Sequence, residues 1–272
     1  MVKRKDFLDL DMLKKNILES KNRCKIFRKK ILDISQKVNA LHIGGSFSCV
    51  EILDLIFNIL LKKKDYKNFI LSKGHASIIH YVLLEYLGVL KKKDINNYCK
   101  PKGILGVHPD INNPGINAST GSLGHGLSIG AGMALANKDE IIYVVVSDGE
   151  LQEGSTWEAI MLIPAFKLNN IIVFVDNNDF ASSEKISETH SNLYPLEKKF
   201  ETFGWQVAKC DGHNIKELFF AIKNKNKNKS LIVVAKTRKG YPVSFMMKNS
   251  IWHYRSPTKD EFQLAMTEIE NL

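Results

Sequence analysis

The chain has 272 residues, 44% of them hydrophobic, which is enough apolar material for a packed core and too much for a chain that stays disordered. Basic residues outnumber acidic ones by 39 to 29, a positive field that favours anionic partners, yet much of the excess sits in lysine tracts at 62–64, 91–93 and 223–229 that read as solvated helix ends and loops. No aromatic-basic stripe accompanies them, so nucleic acid is not an expected partner, and four widely spaced cysteines without a C-x-x-C pair (Cys24, Cys49, Cys99, Cys210) argue against a zinc cage or disulfide framework and fit a reducing, cytoplasmic setting.

In chain order, the basic start Met1 to Lys5 runs into Asp6, Asp9 and Asp11, which interrupt the apolar stretch that a secretion signal needs. From Leu10 to about Asn39, the residues Leu13, Ile17, Cys24, Phe27, Ile31 and Ile34 recur at helical spacing and predict one or two amphipathic helices, an N-terminal extension of about 1–40. A second helical region follows Ser46, with Val50, Ile52, Leu53, Ile56, Phe57 and Leu60 as a broad apolar face. Strands are predicted at 69–71, 141–147, 171–176, 205–209 and 231–236, alternating with helices at 77–87, 123–136, 155–168, 193–203 and 215–223. The longest apolar runs are strand-sized, far short of a bilayer span, so no membrane partner is expected. Alternating strand and helix predict an α/β fold, a doubly wound, mostly parallel sheet with helices on both faces. With neither an internal repeat nor a long linker, one domain over 1–272 is expected. In such sheets ligands lie outside the carboxyl ends of the strands.

Polar clusters fall at those ends. Ser147-Asp148-Gly149-Glu150 closes one predicted strand and Asp176-Asn177-Asn178-Asp179 the next, so Asp148 and Asn178 stand one strand-helix-strand unit apart and can project into one crevice. A carboxylate, an amide oxygen and the main-chain carbonyl of Phe180 just beyond are hard oxygen donors suited to Mg²⁺ or Ca²⁺. Mg²⁺ completes its shell with water and phosphate oxygens, which points to a metal that clamps a diphosphate. Taken singly, Asp148-Gly149 also reads as a turn and Asn177-Asn178 as a loop.

The segment Gly121-Ser122-Leu123-Gly124-His125-Gly126 places glycines where a loop enters a helix, where amides meet anions and a ligand can approach the backbone. The spacing Gly124-x-Gly126-x-x-x-Gly130 and the weak strand before it do not fit a dinucleotide fingerprint, and Gly130 and Gly132 read as tight helix-helix packing positions. Of eight histidines, His42, His75, His108 and His253 lie in or beside glycine- or proline-marked loops, where side chains are free to converge. His80 reads as packed within a helix, His190 and His213 as loop or capping residues, and His125 as part of the glycine segment.

Taken in order, these pieces resemble the N-terminal, diphosphate-binding half of transketolase over nearly the whole chain. They run from His42-x-Gly44-Gly45-Ser46 through Ser72-Lys73-Gly74-His75, Gly106-Val107-His108-Pro109 and Thr120-Gly121-Ser122-Leu123-Gly124-His125-Gly126. Asp148-Gly149-Glu150-Leu151-Gln152-Glu153-Gly154, Asn178, Lys236-Thr237-Arg238-Lys239-Gly240 and Trp252-His253 follow. The resemblance implies thiamine diphosphate as cofactor, with a metal on Asp148, Asn178 and the Phe180 carbonyl. It implies that His75, His253, Lys239 and the Gly149 amide approach the diphosphate, and that Gly121, Ser122, Leu123, Glu150 and Glu153 belong to the cofactor site. His42, His108 and His253 would face the sugar as catalytic groups, and Glu153 would sit at the interface between two active sites.

There are departures from the family pattern. Ser147 replaces a usual glycine before Asp148, Leu41 one before His42, and Pro242 one after Lys239-Gly240-x. Tyr254 and Arg255, bulky and cationic, replace a glycine and its neighbour beside His253 and bear on the substrate. In the family, the glutamate that activates the aminopyrimidine and the arginines that grip the sugar phosphate lie in a following pyrimidine-binding half, which the sequence to Leu272 does not include. The resemblance is therefore to the first subunit of a split transketolase. It implies a partner chain carrying the pyrimidine-binding domain, a heterotetramer of two copies of each chain, sugar phosphate substrates, and transfer of a two-carbon ketol unit from a ketose phosphate to an aldose. The alternatives are a ketol transferase of specialised sugar biosynthesis, the alpha subunit of a 2-oxo acid dehydrogenase, which the four loop histidines disfavour, and a non-catalytic regulatory subunit.

Overall fold

The computed structural model describes residues 10–38, 41–61, 66–247 and 249–272; the basic first residues, Asn39 and the lysines at 62–64 lie outside these, and of Leu13 only the backbone is described. The first amphipathic stretch forms one helix, α1 (Leu10–Ser35), which buries Cys24, Phe27, Ile31 and Leu32. The second region divides into α2 (Ile43–Ser48), α3 (Val50–Leu55) and a π-helical turn at Ile56–Leu60. Helix α2 runs against propensity, since Gly44 and Gly45 are poor helix formers. Close packing accounts for it: α2 is wholly buried, and a β-carbon on Gly44 would come within 3.0 Å of both Lys239 and the Trp252 carbonyl.

Strand β1 (Phe69–Leu71) leads into α4 (Ser77–Tyr86) and α5 (Lys92–Asn96); a long loop then reaches α6 (Gly126–Ala136), β2 (Ile142–Ser147), α7 (Gly154–Ala165) and β3 (Ile171–Asn177). A small hairpin, β4 (Phe180–Ala181) and β5 (Glu184–Lys185), precedes α8 (Ile186–Thr189), α9 (Leu196–Thr202), β6 (Gln206–Asp211) and α10 (Ile215–Lys223). The remaining elements are β7 (Leu231–Lys236), α11 (Ser244–Met247) and α12 (Lys259–Glu270). The main sheet has the order β1-β2-β3-β7-β6 and is parallel throughout, the α/β arrangement that the alternation predicted.

Strand side chains divide between two cores with a period of two. In β2, Tyr143 and Val145 join the core built with α1, α3, α4 and α10, while Ile142, Val144 and Val146 join the core built with α6, α7 and α9. Residues of β3 and β7 alternate in the same way, which is why these strands read as continuous apolar runs. From β3 the chain crosses to the edge strand β6 before returning to β7, so the adjacent carboxyl ends of β3 and β7 diverge into a crevice.

Several local expectations are corrected. The glycine-marked helix begins at Gly126 rather than Leu123, because Gly124 takes φ +92° and its amide donates to the Glu150 side chain at 2.9 Å instead of being left free for a ligand. Gly130 packs on the sheet and not on another helix: a β-carbon there would lie 2.6 Å from Val144, whereas Gly132 faces open space. Lys225 is not simply solvated, since its ammonium donates to the carbonyls of Asn169, Asn226 and Lys229, and burial pushes it down to about 8. His80 is buried in α4 against Phe57 and Phe69, as read, and all four cysteines are free. Among the described residues no helix is long and apolar enough to cross a membrane.

Candidate active site

The parallel sheet delivers its strand ends to one crevice. Ser72, Lys73 and His75 follow β1, Asp148 follows β2, Asn178 follows β3, and Thr237 and Lys239 follow β7. Register holds these ends level: Ser147 pairs with Asp176, and Asn177 with Lys236.

Asp148 is fully buried, and its carboxylate accepts from the amides of Gly149 at 2.9 Å and Asp179 at 2.5 Å. Burial, and then the charge of Asp176, push its carboxyl up to about 8 against the opposing effect of those amides and Lys73. Asn178 Oδ1 accepts from the Phe180 amide at 3.0 Å, and a β-carbon on Gly149 would lie 3.3 Å from the Phe180 carbonyl oxygen, which places that oxygen beside the turn carrying Asp148. A buried carboxylate this difficult to ionise gains from a cation, and carboxylate, amide and carbonyl oxygens suit a hard divalent ion. Among the described residues no three His, Cys, Asp or Glu side chains gather into a metal cage.

Behind this donor set lies a hub that sequence reasoning did not find. Asp176, fully buried, gathers Lys73 Nζ, Thr237 Oγ1, Ser48 Oγ at 2.6 Å and Asn178 Nδ2 at 3.3 Å. Burial opposes its charge, but the Lys73 ammonium and these hydrogen bonds hold the carboxyl below its ordinary value. The hub fastens Asn178 to α2 and to the ends of β1 and β7. A lysine in the Ser72-Lys73-Gly74-His75 motif was the available signal; its partner is visible only in three dimensions.

All four loop histidines converge. The His42 ring centroid lies 4.9 Å from His253, 5.5 Å from His75 and 6.3 Å from His108, and His75 lies 5.7 Å from His253. Burial first and neighbouring charges second push His42 down to about 4 and His253 to about 3, and hold His75 well below the ordinary imidazole value. These three are neutral bases at neutral pH. His42 Nδ1 and Glu150 Oε2 are buried without a hydrogen-bond partner, an arrangement that fits a polar ligand. Lys239 donates to the Ser182 carbonyl at 2.5 Å and to His253 Nδ1 at 3.1 Å, and burial with the nearby Lys73 charge pushes it down to about 8.

His108 stands exposed at the mouth with Gly121 pressed against it, since a β-carbon on Gly121 would lie 2.7 Å from the ring. Ser122 is exposed and Leu123 half-buried beyond it. Glu150 lies beneath the glycine segment, accepting from Ser72 Oγ and the Gly124 amide. Glu153 is exposed at the start of α7 against Gly124, outside the ring cluster. His213, read as a loop or capping residue, has a side chain only 3% exposed and meets Glu51.

The departures resolve unequally. Ser147 Oγ accepts from the Glu150 amide at 3.1 Å and closes the turn, and Leu41 is part of the core. Arg255 is taken up by Glu261 at 2.6 and 2.8 Å and by the face of Trp252, so it presents no free cation to the crevice. Tyr254 remains: 61% exposed, its ring lies 5.1 Å from His42 and 4.4 Å from His253.

With this geometry in place, comparison with known proteins is decisive. A family profile described as transketolase, thiamine diphosphate binding domain, matches residues 20–266. The chain belongs to the transketolase family. It is 36% identical over 256 residues to a subunit of the apulose-4-phosphate transketolase of Phocaeicola vulgatus, a match covering 89% of this chain and 90% of that one. It is 31% identical over 267 residues to the 6-deoxy-6-sulfo-D-fructose transketolase subunit SqwG of a Clostridium species, covering 93% and 97%. The transketolase structure from Campylobacter jejuni aligns with 92% of the chain at a TM-score of 0.83 and 25% identity, and the chain spans 42% of that longer transketolase.

Proposed function

We propose that this chain is the diphosphate-holding subunit of a two-chain transketolase that moves a two-carbon ketol unit from a ketose phosphate to an aldose. The convergence of His42, His75, His108 and His253 beside buried Asp148, Asn178 and Lys239 carries this reading. Two relatives named as transketolase subunits match this chain over 90% and 97% of their own lengths, which supports a partner subunit. In this reading the partner carries the pyrimidine-binding domain, and closed symmetry gives two copies of each chain with Glu153 near the central contact, in the cytoplasm. A second reading, a ketol transferase for a specialised sugar, is favoured by Tyr254 beside His42 and His253, and by relatives named for apulose 4-phosphate and 6-deoxy-6-sulfo-D-fructose.

Asp148, Asn178 Oδ1 and the Phe180 carbonyl hold the divalent ion, Mg²⁺ or Ca²⁺, with Lys239 and His75 on the diphosphate. When bound, thiamine diphosphate supplies the electron sink that lets the carbon-carbon bond beside a ketose carbonyl break. His42 and His253, kept neutral by burial, hydrogen-bond the sugar oxygens, and His108 does so from the mouth. The test is calorimetric titration of thiamine diphosphate. Binding requires the divalent metal and disappears with chelator, and Asp148→Ala weakens it at least about tenfold, since a charge-assisted contact contributes about 1.5–3 kcal/mol. Undiminished affinity in Asp148→Ala contradicts the metal assignment.

A further inference from the structure

The turn after β6 reaches the segment that carries Lys239. Gly212 donates to the Lys236 carbonyl at 2.8 Å, and a β-carbon on it would collide with Thr237, so only a glycine lets this turn approach the end of β7 so closely. His213 then stacks on Tyr241, ring centroids 3.8 Å apart, and its Nε2 accepts from the Arg238 amide at 2.9 Å. Its Nδ1 faces Glu51 Oε2 at 3.1 Å on α3. Glu51 receives both terminal nitrogens of Arg28 on α1, at 2.6 and 2.7 Å. Arg28 returns to the same segment, its Nε donating to the Tyr241 carbonyl at 2.9 Å. One chain of side chains therefore grips the segment at Arg238 and again at Tyr241. Arg238 itself is exposed, while Lys239, between these points, is 5% exposed and meets His253.

Hydrogen-bond chemistry selects one state of this relay. A backbone amide can only donate, so Nε2 is the bare nitrogen, and the proton lies on Nδ1, where Glu51 accepts it. Arg28 is fully buried and the side chains of Glu51 and His213 are 7% and 3% exposed. A buried arginine-carboxylate pair adds little net stability over apolar packing, so what this one contributes is geometry. We propose that His213 is a positioning residue for Lys239: the Arg28–Glu51–His213 relay fixes the Arg238–Tyr241 segment, and with it the place where the Lys239 ammonium meets a diphosphate. The proposal rests on the reading of Lys239 as a diphosphate ligand.

The experiment uses the full chain and magnesium inorganic pyrophosphate as probe. Nitrogen NMR of the wild-type histidine rings shows His213 protonated at Nδ1 and bare at Nε2; a proton on Nε2 overturns the relay, and this measurement needs no variant. In His213→Ala the Arg238 amide exchanges with solvent about tenfold faster and pyrophosphate binds about tenfold more weakly. His213→Gln, whose side-chain carbonyl reaches the Nε2 position, recovers most of both. Equal losses in the alanine and glutamine variants, or unchanged protection and affinity in His213→Ala, overturn the proposal. A wild-type chain with the expected tautomer that binds no magnesium pyrophosphate supports the relay and overturns the diphosphate reading instead.

Discussion

Asp148 and Tyr254 obey different constraints within one crevice. The placement of Asp148 near Asn178 was legible because one strand-helix-strand unit sets the spacing of their two adjacent strand ends. Tyr254 was legible only as a departure, and Arg255 beside it was misplaced: adjacency in the chain does not give side-chain direction, and Glu261 captures the guanidinium. The Lys73–Asp176 pair was illegible for a related reason, since its members are 103 positions apart and meet only when β1 and β3 enter the same sheet. With Arg255 occupied, Tyr254 is the departure whose ring lies against His42 and His253. Steady-state rates of the assembled enzyme across a panel of ketose and aldose phosphates should therefore change rank in Tyr254→Gly. An unchanged ranking shows that the ring does not shape the sugar pocket.

Elements were readable where burial is continuous and hidden where tertiary contacts override propensity. Strands β2, β3 and β7 bury both faces and so announce themselves, whereas α2 contains two poor helix formers and is wholly buried, with a β-carbon at Gly44 crowding Lys239 and the Trp252 carbonyl. The same distinction separates two glycines of α6. Gly132→Ala, facing open space, should raise the stability of the isolated chain by about 0.5–1 kcal/mol through helix propensity. Gly130→Ala, facing Val144, should lower it by about 1–3 kcal/mol through overpacking. Urea unfolding of both variants decides this, and equal effects contradict the packing assignment.

The brace between α1 and α3 has its own pH signature. Burial alone raises the Glu51 carboxyl, but the Arg28 charge and the hydrogen bonds from His213 and Arg28 reverse this and hold it at about 2, below the ordinary 4.5. The folded state thus binds fewer protons at Glu51 than the unfolded state does, and its contribution is full above 4.5 and lost as pH falls toward 2. The advantage of wild type over Glu51→Gln in urea midpoint should be flat from about pH 7 to about pH 5 and shrink below that. An advantage that stays constant down to about pH 3 contradicts the charged assignment.

At the scale of the whole molecule, alternation of strand and helix predicted the sheet but not the crossing from β3 to β6 that opens the crevice. That order depends on which edges remain free once β1, β2 and β3 have paired, and single-strand patterns do not carry it. The folded chain also leaves Ile129, Leu135, Met161, Leu162 and Phe166 exposed on and beside α6 and α7, an apolar surface consistent with a chain that functions in an assembly. In the proposed function this chain positions the diphosphate end of the cofactor and gains ketol transfer only when a second subunit closes the cleft. The most direct test is a coupled ketol-transfer assay on the purified chain, on its partner chain, and on their equimolar mixture, with mass by light scattering. Neither chain alone should turn over and the mixture should; full turnover by this chain, at a mass that excludes any second subunit, contradicts the two-subunit reading.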